Sequence, residues 1–371
     1  MNFELTEERQ MLQDSLRRFL RDRYDVPTRN AILESESGMS LDIWNQLAEL
    51  GVLGALFTEE DGGFGGKGFD IAVVFEELGR AGVVEPILET CILGGGLIAA
   101  LGNETQRDLL ESIIGGETRL ALAHSEPRAR YDLNRVETRC EGGKLNGHKT
   151  MSLGAPNADH IIISARESGA VDDKEGISLF LVPVSDLELR STPMMGGGMA
   201  ADIWLENVVV TDEMRLGPVG SALPYLETVY AAAITANCAQ TLGAMETATR
   251  LTTEYLQTRK QFGRPIGTFQ ALAHRLADML VELEQARSAV IGVAGYLEAD
   301  PKLRDKHASM AKNLMGRIGR LIGEESIQMH GGIAMTQEYE LAHIAKRIIM
   351  ADHLFGDVDH HLERFIAMSA A

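Results

Sequence analysis

The N-terminal third of the chain has the hydrophobic spacing of amphipathic helices. Within residues 5–24 the apolar side chains fall on one helical stripe, which predicts a helix there. That stripe consists of Leu12, Leu16, Phe19 and Leu20. Thr6 stands directly before two glutamates, an order typical of an N-cap followed by an acidic first turn. The same periodicity continues through residues 43–50 and 72–82, so we expect a helical N-terminal region.

Near Arg119 the pattern changes to short apolar runs that are separated by Gly, Asn and Asp. Runs of this length and composition are typical of strands bounded by turns. They predict strands at residues 120–123, 160–164, 177–182 and 203–210. The middle of the chain is therefore expected to be a β domain.

From about Ala222 the helical periodicity returns and continues almost to the end of the chain. Apolar residues step by four and three along two long stretches, and each such stripe needs a facing helix. The first stripe contains Leu272, Leu276, Met279, Leu283, Ala286, Val290, Val293 and Leu297. The second contains Ala308, Ala311, Leu314, Met315, Ile318, Leu321 and Ile322. We expect the two stripes to pack on each other within the chain or between subunits.

Together these patterns predict a mostly α fold with a central β domain. A chain of 371 residues is too long for one small core, which supports division into two or three subdomains. The boundaries that the changes in pattern favour are residues 1–118 for an N-terminal helical domain, 119–220 for the β domain and 221–371 for a C-terminal helical bundle.

The charge and cysteine content narrow the class of protein. With 35 basic and 54 acidic residues the net charge is −19, which disfavours nucleic acid and anionic membrane as partners. Three widely separated cysteines, Cys91, Cys140 and Cys238, indicate a reducing compartment. The N-terminus has no apolar signal-like segment, and no run reaches the length of a membrane span. We therefore expect a soluble, cytoplasmic protein.

Two polar, glycine-containing runs carry the candidate chemistry. Residues 259–270 read RKQFGRPIGTFQ, and residues 328–334 read QMHGGIA. An arginine suits a pyrophosphate, an aromatic ring packs on a planar group, and glycines allow a ligand to approach the backbone closely. A third glycine run, DGGFGGKG at residues 61–68, lacks the Ser or Thr that a phosphate-binding Walker loop has after its lysine. We interpret it as a tight loop.

The order of helices, β domain and helical bundle, with RKQFGxxIGxFQ and QxHGGI in the last part, resembles the acyl-CoA dehydrogenase family. Further matches are the SEP of residues 125–127, the GxK of residues 147–149 and the run ENVVVTDEMRLG of residues 206–217. The resemblance implies an N-terminal helical domain, a β-barrel-like middle domain and a C-terminal four-helix bundle. It also implies FAD as cofactor, α,β-dehydrogenation of an acyl-CoA thioester and reoxidation by an electron-transfer flavoprotein.

In that family the two motifs of one subunit reach the adenosine and pyrophosphate of FAD held mainly by a neighbouring subunit. The resemblance therefore implies FAD contacts from Arg259, Gln261, Phe262, Phe269, Gln270, Gln328, Gly331 and Gly332. Ala334 departs from the glycine that is usual at the last position of this motif.

Other parts of the family pattern are missing. The loop that covers the flavin ring in family members reads like TEPGAGSD, whereas this chain has SEPRARYD, with Arg128 and Arg130 at the two glycines and Tyr131 at the hydroxyl. The KxWIT step has also changed, since Met151 and Leu153 replace its tryptophan and threonine. Bulky residues where a backbone meets a ligand argue against a flavin ring at the usual depth.

The carboxylate base is missing as well. Removal of a weakly acidic α-proton needs a carboxylate beside the flavin, usually a glutamate in a YEGT-like run. Here residues 354–361 read LFGDVDHH, which places Phe355 at that position. A minority of the family carries the base on the helix before RKxFG, where this chain has Ala233, next to Ile234 in place of a CoA-binding arginine. Asp357 is the candidate for a displaced base.

The same C-terminal segment has a metal-like composition, with Asp352, His353, Asp357, Asp359, His360 and His361. The spacing of these residues matches no metal-ligand pattern. Polar or subunit-facing side chains are the simpler interpretation, so we assign no metal site.

Two hypotheses follow. One is a self-sufficient, homo-oligomeric FAD enzyme with a displaced base. The other is the small subunit of a heterotetramer whose large subunit carries the glutamate, similar to the small subunits of pimeloyl-CoA and steroid side-chain dehydrogenases. The family residues that this chain retains are those that act on a neighbour's FAD. The family residues that it lacks would hold flavin, CoA and base in the same chain. We therefore favour the second hypothesis. The acyl chain stays open.

Overall fold

The computed structural model describes residues 5–370. Its helices are α1 (Glu7–Arg23), α2 (Val26–Glu34), α3 (Leu41–Glu49), α4 (Gly68–Ala81), α5 (Gly96–Leu101), α6 (Glu104–Arg107), α7 (Leu109–Ile114), α8 (Leu223–Thr258), α9 (Gln270–Gly295), α10 (Pro301–His330), α11 (Glu340–His353) and α12 (Val358–Ala370). A π-helical segment, Leu88–Gly95, directly precedes α5. The strands are β1 (Leu120–Ala123), β2 (Arg139–Glu141), β3 (Lys144–Leu153), β4 (His160–Arg166), β5 (Ile177–Pro183), β6 (Glu188–Pro193), β7 (Met199–Val209), β8 (Arg215–Leu216), β9 (Lys260–Gln261) and β10 (Arg264–Pro265).

The predicted fold class is confirmed: helical regions flank a central sheet. The four predicted strands are β1, β4, β5 and β7. Thr6 is the N-cap of α1, because its side-chain oxygen accepts a hydrogen bond from the backbone N–H of Arg9 at 3.4 Å. One detail was wrong, since α9 ends at Gly295 and Leu297 lies beyond the helical stripe assigned to it.

The chain divides into two compact units. The first comprises Met1–Asn30, Lys67–Val83 and Ile234–Ala371, and the second comprises Ala31–Gly66 and Val84–Ala233.

The first unit is helical. Helix α10 packs against α9, α11 and α12, so the predicted facing helix for the long apolar stripe lies within the chain. Gly79 of α4 and Gly243 of α8 allow these two helices to cross with their backbones in contact, because a Cβ on either glycine would collide with the other helix. Burial of Met279, Leu283 and Met315 shows that the stripes of α9 and α10 form core.

The second unit is built on one eight-stranded sheet. Strand order is β6-β7-β3-β2-β4-β5-β8, and β1 pairs in parallel with β4. The pairing of β4 with β5 runs antiparallel from His160 opposite Pro183 to Arg166 opposite Ile177. Alternating side chains of β3, β4, β5 and β7 form its apolar core, which includes Leu145, Ile161, Ile163, Phe180 and Ile203.

Candidate functional site

The RKQFG run forms a short hairpin directly after α8. Strands β9 and β10 pair antiparallel, with Gln261 opposite Arg264. The two turn residues, Phe262 and Gly263, have φ of 52° and 77°, the left-handed conformation that a two-residue hairpin turn requires. Phe262 is 91 % exposed, and its ring meets only the edge of Phe269 among the ring contacts of the described residues, at 6.0 Å between centroids. An aromatic side chain is thus presented outward on a strained backbone.

The polar side chains beside the hairpin are available for a ligand. Arg259 and Gln270 are exposed, and within residues 5–370 neither side chain makes a hydrogen bond or an ion pair. The amide of Gln261 donates only to the neighbouring Lys260 carbonyl, at 2.8 Å. Phe269 is half-buried and lies under the guanidinium of Arg264, at 4.2 Å from its ring centroid. The hairpin therefore offers a guanidinium, two amides and an exposed ring on one short segment.

The QMHGG run ends α10. Gln328 is exposed and its side chain is unbonded among the described residues. Gly331 has φ 70° and ψ −149°, a conformation essentially restricted to glycine. Gly332 has no positive φ, and a Cβ built on it would meet no described atom within 4 Å. Nothing within this part of the chain explains a glycine at position 332, whereas close approach of an external group would.

The ends of the two motifs lie together. The ring of His330 stacks on Tyr255, one helical turn before Arg259, at 4.4 Å between centroids. The two His330 ring nitrogens are bonded to Ser326 O at 2.8 Å and to Tyr339 Oη at 3.2 Å. Burial lowers the pKa of His330, which favours a neutral ring in this position. These contacts were not predicted from the sequence, because His330 and Tyr255 are 75 positions apart.

The two positions at which the sequence resemblance places a base hold an alanine and a phenylalanine. Ala233 is fully buried and Ile234 is 2 % exposed, so both belong to the packed interior of α8. Phe355 is half-buried at φ 60°, in the turn between α11 and α12.

The turn around Phe355 is held by two buried side chains. The ammonium of Lys312 donates to the carbonyls of Ala351 at 3.0 Å, Asp352 at 2.8 Å and Gly356 at 2.8 Å. The Nε2 of His361 bonds the Phe355 carbonyl at 2.9 Å. Burial lowers the pKa of Lys312 and lowers that of His361 to about 3, so the histidine is a neutral Nε2–H donor. We name this arrangement of Lys312 and His361 the carbonyl clamp.

Two acidic residues of the same segment, Asp357 and Asp352, are held within the fold. Asp357 is the N-cap of α12, because its Oδ1 accepts a hydrogen bond from the His360 backbone N–H at 2.9 Å. Burial raises the pKa of Asp352, whose Oδ1 is enclosed against Gly316 of α10. In the part of the chain that the structure covers, no three His, Cys, Asp or Glu side chains are grouped to hold a metal ion.

The SEP and GxK residues meet inside the sheet unit. Lys149 and Glu126 form a buried ion pair at 2.6 Å, and the same ammonium is 3.0 Å from Ser164 Oγ. Burial lowers the pKa of Lys149 to about 8, against the opposing effect of Glu126. Glu126 also accepts the backbone N–H groups of Glu137 and Thr138, which ties residues 125–138 to the sheet. Nearby, burial lowers the pKa of His124 to about 3. These motif residues therefore stabilise the fold.

Two substituted positions keep an unusual backbone. Arg130 and Met151, at positions where the resemblance places a glycine and a tryptophan, have φ of 49° and 51°. Both side chains are exposed. Left-handed conformations of non-glycine residues cost roughly 1 kcal/mol or more, so both positions carry local backbone strain.

Comparison with known proteins identifies the family. Models of the acyl-CoA dehydrogenase N-terminal, middle and C-terminal domains match residues 6–117, 121–208 and 233–368. The "Probable acyl-CoA dehydrogenase YngJ" of Bacillus subtilis (strain 168) is 30 % identical over 91 % of this chain and 92 % of its own. The "Caffeyl-CoA reductase-Etf complex subunit CarC" of Acetobacterium woodii is 31 % identical over 88 % and 89 %. A solved variant of the Tcur3481-Tcur3483 steroid ACAD has a TM-score of 0.87 and 28 % identity, covering 98 % of both chains.

The chain belongs to the acyl-CoA dehydrogenase family, a family of flavoprotein oxidoreductases. FAD is its cofactor, and the residues of the two motifs fit this group: Gly263, Gly331 and Gly332 face open space, and the side chains of Arg259, Gln270 and Gln328 make no hydrogen bond or ion pair within residues 5–370. When bound, FAD supplies the redox chemistry as acceptor of a hydride. None of the described helices has the length and apolar character to cross a membrane.

Proposed function

We propose that this chain is the non-catalytic subunit of a heteromeric, FAD-dependent acyl-CoA dehydrogenase. It contributes adenosine and pyrophosphate contacts to FAD that is held mainly by a large subunit, and the large subunit supplies the catalytic glutamate. The observation that carries this proposal is a contrast between two groups of residues in this chain, the motif residues and the residues at the two base positions. The motif residues are exposed and unengaged, as at Arg259 and Gly332, whereas both base positions are occupied by Phe355 and Ala233.

Each exposed motif residue has a defined task. Arg259 forms paired hydrogen bonds with pyrophosphate oxygens, and Gln270 and Gln328 add neutral donors and acceptors. Phe262 packs its ring on the adenine, supported at the edge by Phe269. Gln261 borders the same surface, and Gly331 with Gly332 admits the cofactor close to the backbone.

The candidate for a displaced base is better explained as a structural residue. Asp357 uses its carboxylate to cap α12. The carbonyl clamp binds the turn that would have to shift to bring this aspartate to the base position. A self-sufficient homo-oligomer with Asp357 as base is the alternative, and it requires this turn to rearrange.

The family resemblance also suggests the partners and domain limits. The name of the steroid ACAD combines two polypeptides, and the name of the Acetobacterium relative joins a reductase to an Etf complex. We therefore propose a heterotetramer with a large subunit, and an electron-transfer flavoprotein as oxidant. We place the domains at residues 1–118, 119–220 and 221–371. The three free, buried cysteines support a reducing, cytoplasmic location.

Co-expression with a large subunit tests the proposal. The complex should contain about one FAD per heterodimer and reduce a dye when acyl-CoA is added, while the lone chain should be colourless. Stoichiometric flavin on the lone chain that bleaches with acyl-CoA would establish the homo-oligomeric alternative instead.

A substitution tests the contact in trans. Arg259→Ala should lower the FAD content of the purified complex about tenfold, because a charged bidentate contact contributes on the order of 1.5–3 kcal/mol. The circular dichroism of the lone chain should not change. Lys260→Ala is the matched control, since this exposed lysine directly follows Arg259 and begins β9. Equal flavin content in the two variant complexes would eliminate the role of Arg259.

A further inference from the structure

A cavity of about 500 Å³ lies inside the helical unit. It is bordered by the end of α1, the start of α2, the end of α4, the middle of α8 and the start of α11. A cavity of this volume accommodates a small organic molecule.

Arg29 is the polar group that distinguishes this cavity. It is 6 % exposed, and its Nε donates to the Gly82 carbonyl at 3.0 Å. In the described part of the chain it has no carboxylate within 4 Å, and its two terminal nitrogens make no hydrogen bond. Its guanidinium is poorly solvated, and this burial lowers the pKa of Arg29. A buried arginine with two unbonded nitrogens at a cavity wall is suited to receive an anion.

The paired charges around the cavity cancel. Glu77 accepts from Arg17 at 2.6 Å and lies 3.4 Å from Arg80, which also contacts Glu246. Asp25 accepts the Thr28 backbone N–H at 2.9 Å and is engaged at the start of α2.

Three charged lining residues are left besides Arg29. Arg250 and Arg21 lie at the exposed edge, where each has an exposed acidic neighbour. Glu340 lies in the first turn of α11 and, among the described residues, makes no ion pair. Burial raises the pKa of Glu340, and the charges of Arg250 and Arg29 only partly oppose this. In the interior of the cavity, the guanidinium of Arg29 is therefore not neutralised by direct contact with a carboxylate.

The remaining wall is mostly apolar. Leu20, Val26, Ala81 and Ile344 contribute aliphatic surface, and Tyr24 adds a ring that is 4 % exposed. A ligand that reached Arg29 would therefore bury hydrocarbon beside its charged group.

We infer that this cavity is a binding site for an organic monocarboxylate with a short aliphatic body, whose carboxylate pairs with Arg29. The site is independent of the FAD-contacting motifs and of the proposed subunit role. Arg29 supplies the charge, and the aliphatic wall selects a ligand with several methylene groups over a bare inorganic anion.

Calorimetric titration of the purified chain with hexanoate, acetate and inorganic phosphate, at constant ionic strength, tests this site. Hexanoate should bind saturably with one site per chain, and at least tenfold more tightly than acetate or phosphate. Arg29→Gln should weaken hexanoate binding at least tenfold. Glu340→Gln should tighten it, because the variant removes a like charge from the cavity.

Two further variants separate binding from folding. Ala81→Leu fills the cavity but leaves the Arg29 bond to Gly82 intact, so it should also abolish hexanoate binding. Arg18→Gln alters an exposed arginine of α1 that does not line the cavity and should leave the affinity unchanged. Absence of saturable hexanoate heat, phosphate binding as tight as hexanoate, or unchanged affinity in folded Ala81→Leu would each overturn the assignment.

Discussion

The carbonyl clamp predicts that Lys312→Met destabilises the helical unit. The ammonium of Lys312 makes three hydrogen bonds of 2.8–3.0 Å to carbonyls at the end of α11 and in the turn after it. Hydrogen bonds to a charged group contribute roughly 1.5–3 kcal/mol each, so the three together amount to about 5 kcal/mol or more. Burial of the ammonium offsets part of this, and methionine refills much of the volume. We expect a net loss of about 3 kcal/mol.

Differential scanning calorimetry measures this loss. With about 2.1 cal/mol/K of unfolding entropy per residue, 3 kcal/mol lowers the Tm by roughly 4 °C if the whole chain unfolds together. The decrease is roughly 8 °C if only the unit that contains Lys312, about half of the chain, unfolds in that transition. Hydrogen exchange should accelerate most at residues 351–361, because the carbonyls of this turn lose their donor.

Lys302→Met is the matched control. Lys302 is exposed in the first turn of α10, the helix that also carries Lys312, and the two residue types have similar helix propensity. The control should melt within 1 °C of the unchanged protein. If Lys312→Met has the same Tm as the control, the three hydrogen bonds do not stabilise the turn, and the carbonyl clamp contributes nothing to the free energy of unfolding.

Three further predictions concern separate parts of the chain. Burial lowers the pKa of His361 to about 3, so in the unchanged protein this histidine costs about 1.4 kcal/mol of stability per pH unit as the pH falls from 6.5 towards 3. In urea unfolding between pH 6 and 4, His361→Gln should remove this contribution to the pH dependence of the unfolding free energy. Parallel curves of unfolding free energy against pH for the two proteins would refute the prediction. Lys149→Met leaves the Glu126 carboxylate buried without its ammonium partner and should lower the free energy of unfolding in urea by about 3–5 kcal/mol. Adding Glu126→Gln should restore part of this loss. A loss below 1 kcal/mol would contradict a buried ion pair. Phe262→Gly relieves the strain of a left-handed phenylalanine, but glycine makes the unfolded chain more flexible, so the two effects offset each other and the Tm of the lone chain should not change. The flavin content of the complex should fall. Unchanged flavin would show that the ring does not reach the cofactor.

Much of the architecture could be predicted from local pattern. Periodicities of 3.6 and 2 residues report which side of an element is buried, so the helix after Phe269 and the strands β1, β4, β5 and β7 were found from spacing alone. Thr6 was found as an N-cap because capping depends only on a residue and its immediate neighbours. The π-helical segment Leu88–Gly95 was not predicted, since its apolar run is ambiguous in period.

The candidate site divides in the same way. The types of residue in RKQFG and QMHGG were sufficient to suggest a phosphate-bearing planar cofactor. The sequence did not show that Gly332 faces open space or that Arg259 is unengaged, because both depend on atoms far away in the chain. From composition alone, the residues of LFGDVDHH could act as a base, as metal ligands or as polar packing. The structure shows Asp357 capping α12 and His361 bonding the Phe355 carbonyl.

The sequence alone determined the class of protein, through the order of its elements and its family motifs. Those properties are local or can be counted along the chain. Only the tertiary structure decided which polar groups are free and which are already used. Lys312 and the carbonyl of Gly356 are 44 positions apart, and Arg29 and Gly82 are 53 apart. Whether a charge binds a ligand or stabilises the fold depends on such distant neighbours, because burial and pairing together set its free energy.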